Sequence, residues 1–344
     1  MNITIIIPTK NRTKFIDRQL QYFAKSNYQG FLFFGDASDD DIFDRNVKLI
    51  KRFDKKLKIT HYHDKESSAD QTIHNLMKHV KTDFVTSLPD DDQILTPSIN
   101  KCIEFLNANT EYSAAHGKTF EMSVNFGKDD AFGRVTKVAA SSMYISEEGT
   151  SIERIEGYIL KPSNINMSIV RVNHSIKAYE ACKNLDYYYS SLIFGELTVG
   201  CVLLSIGKIK ELDETYLIRQ LHNSQYFDSM NLVEWFSRAE WSHSFLIFKR
   251  ALYDNFLIPG SDSFDRDQKK IDSIVSQKMK GLLLSICKAN LIYKIKSISI
   301  LSNLFVYYRY FKNITKRNSS IDQLNDLNDY LNIITLAKSS QTDA

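Results

Sequence analysis

The first 95 residues alternate between apolar runs that are typical of buried strands and amphipathic runs that are typical of helices. The run ITIIIP at 3–8 is rich in β-branched residues and has no polar alternation, which indicates a strand buried on both faces. Further strands are predicted at 30–38, 58–63 and 83–88, with a helical segment after each of the first three strands. Strands and helices that alternate with such short connections predict a parallel, doubly wound α/β sheet.

Polar residues stand at the carboxyl ends of three of these strands. They are Pro8 and Thr9 after the first strand, Asp36 after the second, and Asp90, Asp91 and Asp92 after the fourth. Ligands of parallel sheets bind at this edge. We therefore expect the three clusters to converge on one ligand site.

The sequence PDDD at 89–92 places three like charges side by side. Burying them without partners would cost several kcal/mol, so they form either a solvated turn or a site with strong positive charge. Carboxylates at the end of a buried strand are typical ligands of Mg²⁺ or Mn²⁺. Because the chain has no G-x-G-x-x-G or G-K-S/T loop to hold a phosphate, a divalent cation is the natural bridge to one. The alternative is a helix start, in which Asp92 caps the next helix or interacts with its dipole.

Composition limits the classes of protein to which the chain can belong. With 344 residues, 43% of them hydrophobic, the chain can bury a large core in one or two domains. Its 44 Lys and Arg against 41 Asp and Glu give a net charge of +3, which offers no general attraction to nucleic acid. The four cysteines are far apart and form no C-x-x-C pair, which argues against a zinc ribbon or a disulfide framework and fits a reducing compartment. The N-terminus lacks the features of a secretory signal, and no apolar run reaches 18 residues, so we expect a cytoplasmic protein without a spanning helix.

Four motifs in a fixed order resemble the landmarks of a known family. They are ITIIIPTKNR at 3–12, GDASDDD at 35–41, HNLMKHVKTDFVTSLPDDD at 74–92 and GKIKELDETYLIRQLHNS at 207–224. This order resembles the family 2-type glycosyltransferases with the GT-A fold, within the nucleotide-diphospho-sugar transferase superfamily, and the resemblance covers roughly 1–225. It implies a mostly parallel sheet flanked by helices. It also implies inverting transfer of a sugar from a nucleotide-diphosphate donor, most commonly UDP, to an acceptor hydroxyl with Mn²⁺ or Mg²⁺.

The resemblance also implies the residues of the site. The residues for the nucleotide sugar are Pro8, Thr9, Asn11, Arg12, Asp36, Asn75, Asp90, Asp91 and Arg219, and those for the metal are Asp92 and His222. Among them, Asp36 accepts a hydrogen bond from the base, and Asn75 stands in the pair that matches an R-N pair of the family. The usual D-x-D-D motif has Pro89 in its first position here. The division of roles among the three aspartates therefore stays open.

A general base is predicted at Glu196. It is the only charged residue in the apolar run at 192–206, where a helix is expected. A base for an acceptor hydroxyl needs a pKa raised toward neutrality, which burial in apolar surroundings provides. The acidic pair of the family is matched here by Gly195 and Glu196, and that match implies the same role. The alternatives are a solvated position or a structural ion pair with Arg219.

Arg219 and His222 are spaced so that they share a helical face or flank one turn. The segment at 129–168 has weak periodicity and is predicted to be an irregular acceptor loop, with Tyr144 or Tyr158 available to stack on a sugar. A variable surface insertion is the alternative for this segment. The aromatic segment at 233–254, which holds Trp235 and Trp241, is predicted to pack in the core, with an acceptor platform as the alternative.

The C-terminal region is strongly basic. From residue 269 to 317 there are eleven Lys or Arg and one acidic residue, Asp272. We therefore predict a GT-A domain at 1–265, with a nucleotide-sugar half at 1–112 and an acceptor half at 113–265, followed by a basic helical region at 266–344. Segment 269–317 could pack on the GT-A domain, form a homo-oligomer, or rest on the anionic inner face of the cell membrane. Membrane contact would suit a lipid-linked acceptor, whereas a glycan acceptor would not need it. Either acceptor would fit bacterial-type polysaccharide or glycoconjugate synthesis.

Two other functions use similar residues. A sugar-phosphate nucleotidyltransferase also has strand-end carboxylates and Mg²⁺, but it needs a glycine-rich loop where this chain reads PTKNRTKF. A non-catalytic nucleotide-sugar-binding module would not need all three aspartates, and this chain keeps them.

Overall fold

The computed structural model describes residues 2–126, 131–183, 185, 194–221, 239–257, 260–296 and 331. Its strands are β1 Ile3–Thr9, β2 Phe31–Asp36, β3 Lys58–His63, β4 Phe84–Ser87, β5 Gln93–Ile94, β6 Tyr112–Phe126, β7 Gly133–Ser141, β8 Ile169–Arg171 and β9 Lys208–Leu221. Its helices are α1 Thr13–Lys25, α2 Asp40–Lys51, α3 Ala69–Met77, α4 Thr96–Ala108, α5 Ser151–Leu160, α6 Val172–Glu180, α7 Glu196–Ile206, α8 Ala239–Phe256 and α9 Phe264–Lys296. The described strands form one sheet in the order β3-β2-β1-β4-β8-β6-β9-β5, with β7 paired to β6.

The first four strands form the parallel part of the sheet. β1 lies between β2 and β4, and β3 pairs with the outer edge of β2. Ile5, Ile6 and Ile7 of β1 are all fully buried, so both faces of this strand are covered by helices. The prediction of a doubly wound sheet is confirmed. Its register places Thr9 beside Asp36 and Asp36 beside His63 at the carboxyl edge.

The second half of the sheet is mixed. β8 runs antiparallel to both β4 and β6, whereas β6 and β9 are parallel. The short strand β5 pairs with the end of β9, with Gln93 opposite Ile218. Arg219 therefore lies on a strand, so the helical spacing expected for it is wrong. This pairing brings the end of β9 to the residues that follow β4.

Helices cover both faces of the sheet. One core lies under α1, α2 and α4, and a second core lies under α3 and α5 to α9. Three side chains of α9, Ile271, Ile274 and Val275, are buried in the second core. The start of the basic C-terminal region is thus packed into the α/β unit. None of the helices within the described ranges is long and apolar enough to cross a membrane.

The segment at 129–168 is more regular than predicted. It contains β7 and α5, and α5 begins at a capping box formed by Thr150 and Glu153. Tyr158 is 2% exposed and packs edge-on against Tyr144, with ring centroids 4.8 Å apart. Stacking of Tyr158 on a sugar is therefore wrong, because its ring is in the core.

The aromatic segment near α8 is described in part. Trp241 packs against the second core and stacks on Phe245, with ring centroids 5.3 Å apart, so core packing is confirmed for this tryptophan. Trp235 lies outside the described residues.

Candidate active site

Asp36 organises the carboxyl edge of β2. Its Oδ1 accepts the main-chain N–H of Ser38 at 2.9 Å, and its Oδ2 accepts Asn46 Nδ2 at 2.8 Å. His61 Nε2 lies 3.0 Å from the same Oδ2. Burial raises the pKa of Asp36, but hydrogen bonds from His61, Ser38 and Asn46 outweigh it and hold the pKa below its ordinary value.

These hydrogen bonds restrict how Asp36 could bind a nucleotide base. The residue is 1% exposed, and both carboxylate oxygens are engaged by neighbouring protein groups. A direct hydrogen bond from a base would require one of these donors to move. The proposed contact between Asp36 and the base stays a prediction.

The loops after β1 and β2 are joined through Asn11. Its φ of 58° lies in the left-handed region, which Asn tolerates better than most residues. The Asn11 main-chain N–H donates to Ser38 Oγ at 2.7 Å. The Asn11 side chain donates to Asp39 Oδ2 at 3.1 Å and accepts the Asp39 N–H at 2.9 Å. Together with Pro8, which pairs with Gly35, these contacts shape the edge where the base and ribose were predicted.

The residues Asp90 to Asp92, here called the aspartate turn, lie directly beside this edge. Thr9 Oγ1 donates to Asp90 Oδ2 at 2.7 Å. Arg12 Nη1 donates to Asp90 Oδ1 at 2.8 Å and to Asp91 Oδ2 at 2.9 Å. The three strand-end clusters therefore converge as predicted, and Arg12 supplies part of the positive charge that the aspartates require.

Asp92 points toward β9. Its Oδ1 accepts the Gln220 N–H at 3.0 Å, and its Oδ2 lies 3.6 Å from Arg219 Nε. Helix α4 begins only at Thr96, with Leu95 at its N-cap, so the alternative of Asp92 as a cap is excluded.

Burial raises the pKa of two carboxyls of the aspartate turn. Burial and the charge of Asp91 raise the pKa of Asp92 to about 7, against the opposing effects of Arg219, the Gln220 N–H and Arg18. The pKa of Asp90 rises to about 6 through burial and Asp91, opposed by Arg12 and Thr9. Proton uptake by this turn therefore begins well above the ordinary range of aspartate.

Glu196 is the first α-helical residue of α7, directly after the π-helical residues Phe194 and Gly195, and it is partly buried. Burial and the charge of Asp70 raise the pKa of Glu196 to about 7, and Arg219 acts in the opposite direction. A carboxyl with this pKa can exchange a proton near neutral pH.

A small pocket, with room for about one water molecule, lies beside Gly195 and Val199, which flank Glu196. It is lined by Asp70 and His74 of α3, Asn166, Tyr179 and Cys182, Leu185, and Gly195 and Val199 beside Glu196. No ion pair joins Glu196 to Arg219 among the described contacts, so a structural pair does not explain Glu196. The charge of Arg219 nevertheless acts on both Asp92 and Glu196 and lowers the pKa of each carboxyl.

Comparison with known proteins supports a fold assignment. No family model matches the chain, and no curated protein matches it. Among solved structures, the 1–349 fragment of S. aureus TarS matches with a TM-score of 0.51 at 14% identity, over 97% of this chain and 81% of that one. The same fragment in complex with UDP-GlcNAc matches with a TM-score of 0.51 at 15% identity, over 97% of this chain and 82% of that one. The chain has a GT-A-type glycosyltransferase fold.

Identities this low show the GT-A fold alone. The chain spans 43% of the length of a longer S. aureus TarS structure. The mannosyltransferase PcManGT from Pyrobaculum calidifontis in complex with GDP-Man and Mn²⁺ is similar at 10% identity, over 100% of this chain and 88% of that one, with a TM-score of 0.49.

The oxygen atoms at this site suit a cation that is bound jointly by the protein and a phosphate ligand better than a cation that is bound by protein side chains alone. Among the described residues, no group of three or more His, Cys, Asp or Glu could hold a metal ion, and His222 lies outside them. Both oxygens of Asp90 accept hydrogen bonds, whereas Asp92 Oδ2 is 3.6 Å from Arg219 Nε, which is longer than a hydrogen bond. Mg²⁺ is usually held by one or two carboxylates together with substrate phosphates. The site therefore fits a cation held by Asp92 and by phosphate oxygens of a ligand.

Asn75 is exposed on α3, and no described contact joins it to the aspartate turn, so its assignment stays a prediction. The residues of α3 that line the pocket are Asp70 and His74, at the (i, i+4) spacing of one helical face. His74 Nε2 lies 3.0 Å from Glu180 Oε1, which ties α3 to the end of α6. Asp70 was not among the residues predicted from the sequence, although its spacing from His74 could have indicated it.

Proposed function

We propose that the chain is a glycosyltransferase that moves a sugar from a nucleoside-diphosphate donor to an acceptor hydroxyl with inversion. The main support is the GT-A fold together with the contacts that join Thr9, Arg12 and Arg219 to the aspartate turn at the carboxyl edge. The charge of Arg219 also acts on Glu196. The TarS fragment with this fold binds UDP-GlcNAc, which supports a UDP-sugar as the first donor to test.

The donor would lie along the carboxyl edge. The base and ribose would contact the loops joined by Asn11, beside Asp36, and the diphosphate would approach Arg12 and Arg219. Asp92 would hold a divalent cation, Mn²⁺ or Mg²⁺, together with phosphate oxygens. When bound, this cation supplies positive charge that stabilises the departing diphosphate.

Glu196 would act on the acceptor. The acceptor oxygen forms a bond to the anomeric carbon while the bond from that carbon to the diphosphate oxygen breaks. The hydroxyl proton passes to the Glu196 carboxylate, and the electron pair of the broken bond leaves with the diphosphate. Attack from the face opposite the leaving group inverts the anomeric centre. A pKa of about 7 lets Glu196 accept a proton at neutral pH.

The acceptor or the donor sugar would lie at the mouth of the small pocket beside Gly195 and Val199, and not inside it. Asp70, His74 and Asn166 offer polar atoms there for sugar hydroxyls. A glycan or a lipid-linked acceptor would suit this reaction, in the setting of bacterial-type polysaccharide or glycoconjugate synthesis.

A donor screen tests the proposal. Nucleotide sugars of each common base, with and without Mn²⁺, are assayed for a shift in melting temperature and for release of the nucleoside diphosphate by hydrolysis or transfer. We expect one donor to stabilise the protein in a Mn²⁺-dependent way and to be cleaved. Pyrophosphate release from a nucleoside triphosphate with a sugar phosphate would indicate a nucleotidyltransferase. Stabilisation with no cleavage under any acceptor mixture would indicate a binding module.

A further inference from the structure

Two fully buried residues of α1 support the main chain of the aspartate turn. Arg18 and Gln19 are both 0% exposed. Arg18 Nη2 donates to the Asp91 carbonyl oxygen at 2.7 Å. Gln19 Nε2 donates to the Asp90 carbonyl oxygen at 3.3 Å and also to the Asp92 carbonyl oxygen. All three carbonyl groups of the turn thus accept hydrogen bonds from one helix.

Arg18 also joins this turn to distant parts of the fold. Its Nη1 donates to the Ala131 carbonyl oxygen at 3.0 Å and to Gln220 Oε1. Gln220 in turn donates its main-chain N–H to Asp92 Oδ1 at 3.0 Å. The position of the Asp92 carboxylate is therefore fixed from two sides, through its own main chain and through Gln220.

We propose that Arg18 and Gln19 are positioning residues that hold the aspartate turn in the geometry needed to bind a nucleoside diphosphate with its cation. This proposal deepens the proposed function and rests on it. Neither residue reaches solvent, so each acts through the turn and not by touching the donor.

The energetic cost of these side chains supports such a role. Arg is almost never fully buried unless it is paired, because removing its charge from water is costly. Buried polar groups can often be replaced by apolar ones without loss of stability. The Arg18 guanidinium is buried next to the aspartate turn, with the Phe15 ring 4.9 Å from its centre. An apolar side chain would fill the same space at a lower free-energy cost, so packing alone does not explain Arg18. Holding three adjacent carboxylates in fixed positions does explain it.

Arg154 provides a matched control. It is 7% exposed and also donates to three main-chain carbonyl groups, at Leu204, Glu148 and Gly149, with distances of 2.9 to 3.1 Å. These acceptors lie away from the aspartate turn. Arg154→Met therefore removes a buried arginine of the same kind without touching the turn.

The first measurement is hydrogen exchange in the full chain without ligand. We expect Arg18→Met and Gln19→Leu to speed amide exchange in peptides that cover 88–95, while Arg154→Met leaves those peptides unchanged at a similar loss of melting temperature. Arg18→Lys, which keeps the charge and part of the hydrogen bonding, should restore part of the protection. Unchanged exchange at 88–95 in the folded Gln19→Leu variant, or in Arg18→Met if it folds, would overturn the proposal. This readout does not depend on the protein being a glycosyltransferase.

The second measurement is UDP affinity by calorimetry with and without Mn²⁺. Losing a residue that orients a metal ligand typically costs about 10- to 100-fold in metal affinity. We expect the Mn²⁺-dependent part of UDP affinity to fall by this factor in Gln19→Leu and Arg18→Met, and to be kept in Arg154→Met. Faster exchange with full Mn²⁺-dependent affinity would overturn the link to the cation. If wild type gains no affinity from Mn²⁺ for UDP or for the diphosphate of any donor found in the screen, the proposed cation site fails, and the exchange result still decides whether the two residues hold the turn.

Discussion

At the residue scale, charge compensation explains how the chain can place three aspartates in a row. Arg12 bonds to Asp90 and Asp91, and Arg219 lies beside Asp92. Part of this compensation could not be read from the sequence. Arg18 and Gln220, for example, are 202 positions apart in the chain and meet only because the sheet brings β9 to the turn.

The charge of Asp70 favours the protonated form of Glu196. The charge of Asp70 is the second cause, after burial, of the raised pKa of Glu196. Asp70→Asn removes this charge, so the pKa of Glu196 falls and its base form persists to lower pH. We expect the acidic limb of the kcat/KM profile to move to lower pH. Asp64→Asn, an exposed change near the same helix, is the control and should not move the limb. A shift of the limb to higher pH in Asp70→Asn would contradict this account.

Asp36 stabilises the carboxyl edge of β2 by accepting hydrogen bonds from its neighbours. Asp36→Ala leaves the donors of Ser38, Asn46 and His61 without their acceptor, so we expect a lower melting temperature and weaker UDP binding by calorimetry. Asp41→Ala is a control, since its ion pair with Arg45 is exposed and worth little. Equal UDP affinity in wild type and Asp36→Ala would show that this edge does not bind the nucleotide.

At the element scale, the predictions succeeded where local pattern decides the structure. β1 to β4 are short apolar runs with helices between them, and each could be recognised from its own residues. β9 could not, because its pairing depends on β5 and β6, which are distant in the chain. The place of Glu196 at the start of α7 was also missed, since the apolar run at 192–206 gives no clear sign of where the helix begins.

The buried position of Tyr158 on α5 gives a test at this scale. Tyr158 fills the second core, and its hydroxyl donates to the Glu196 carbonyl oxygen at 3.2 Å. Truncating a large buried aromatic typically costs about 3 to 5 kcal/mol, so we expect Tyr158→Ala to lower the free energy of unfolding by about that amount in denaturant titrations. Tyr158→Phe keeps the packing and should lose much less. Unchanged stability together with weaker acceptor binding in Tyr158→Ala would restore the sugar-stacking role.

At the scale of the whole molecule, the two halves of the sheet meet at the proposed active site. The parallel half carries the carboxyl edge with Thr9 and Asp36, and β9 and α7 carry Arg219 and Glu196 in the second half. The division at residue 265 stays a prediction, as does membrane contact through 269–317. The burial of Ile271, Ile274 and Val275 means that a chain cut at 265 would lose part of its core.

If Glu196 is not the base, Asp186, Asp213 and Glu214 of the second half are the next candidates. Asp213 and Glu214 of β9 pair with Lys118 and Lys101, and the Asp213 side chain is 91% exposed. Asp186 lies outside the described residues. Asp213→Asn is therefore a suitable control for a change at Glu196.

The most direct test compares UDP affinity and turnover of the cleaved nucleotide sugar in wild type, Asp92→Asn, Glu196→Gln and Asp213→Asn, all with Mn²⁺. We expect Asp92→Asn to lose Mn²⁺-dependent binding and turnover together. Glu196→Gln keeps its size but cannot accept a proton, so it should bind UDP as wild type does and turn over about 10²- to 10⁴-fold more slowly. Asp213→Asn should match wild type in both measurements. Turnover of Glu196→Gln within a few-fold of wild type, or undiminished Mn²⁺-dependent binding in Asp92→Asn, would contradict the account.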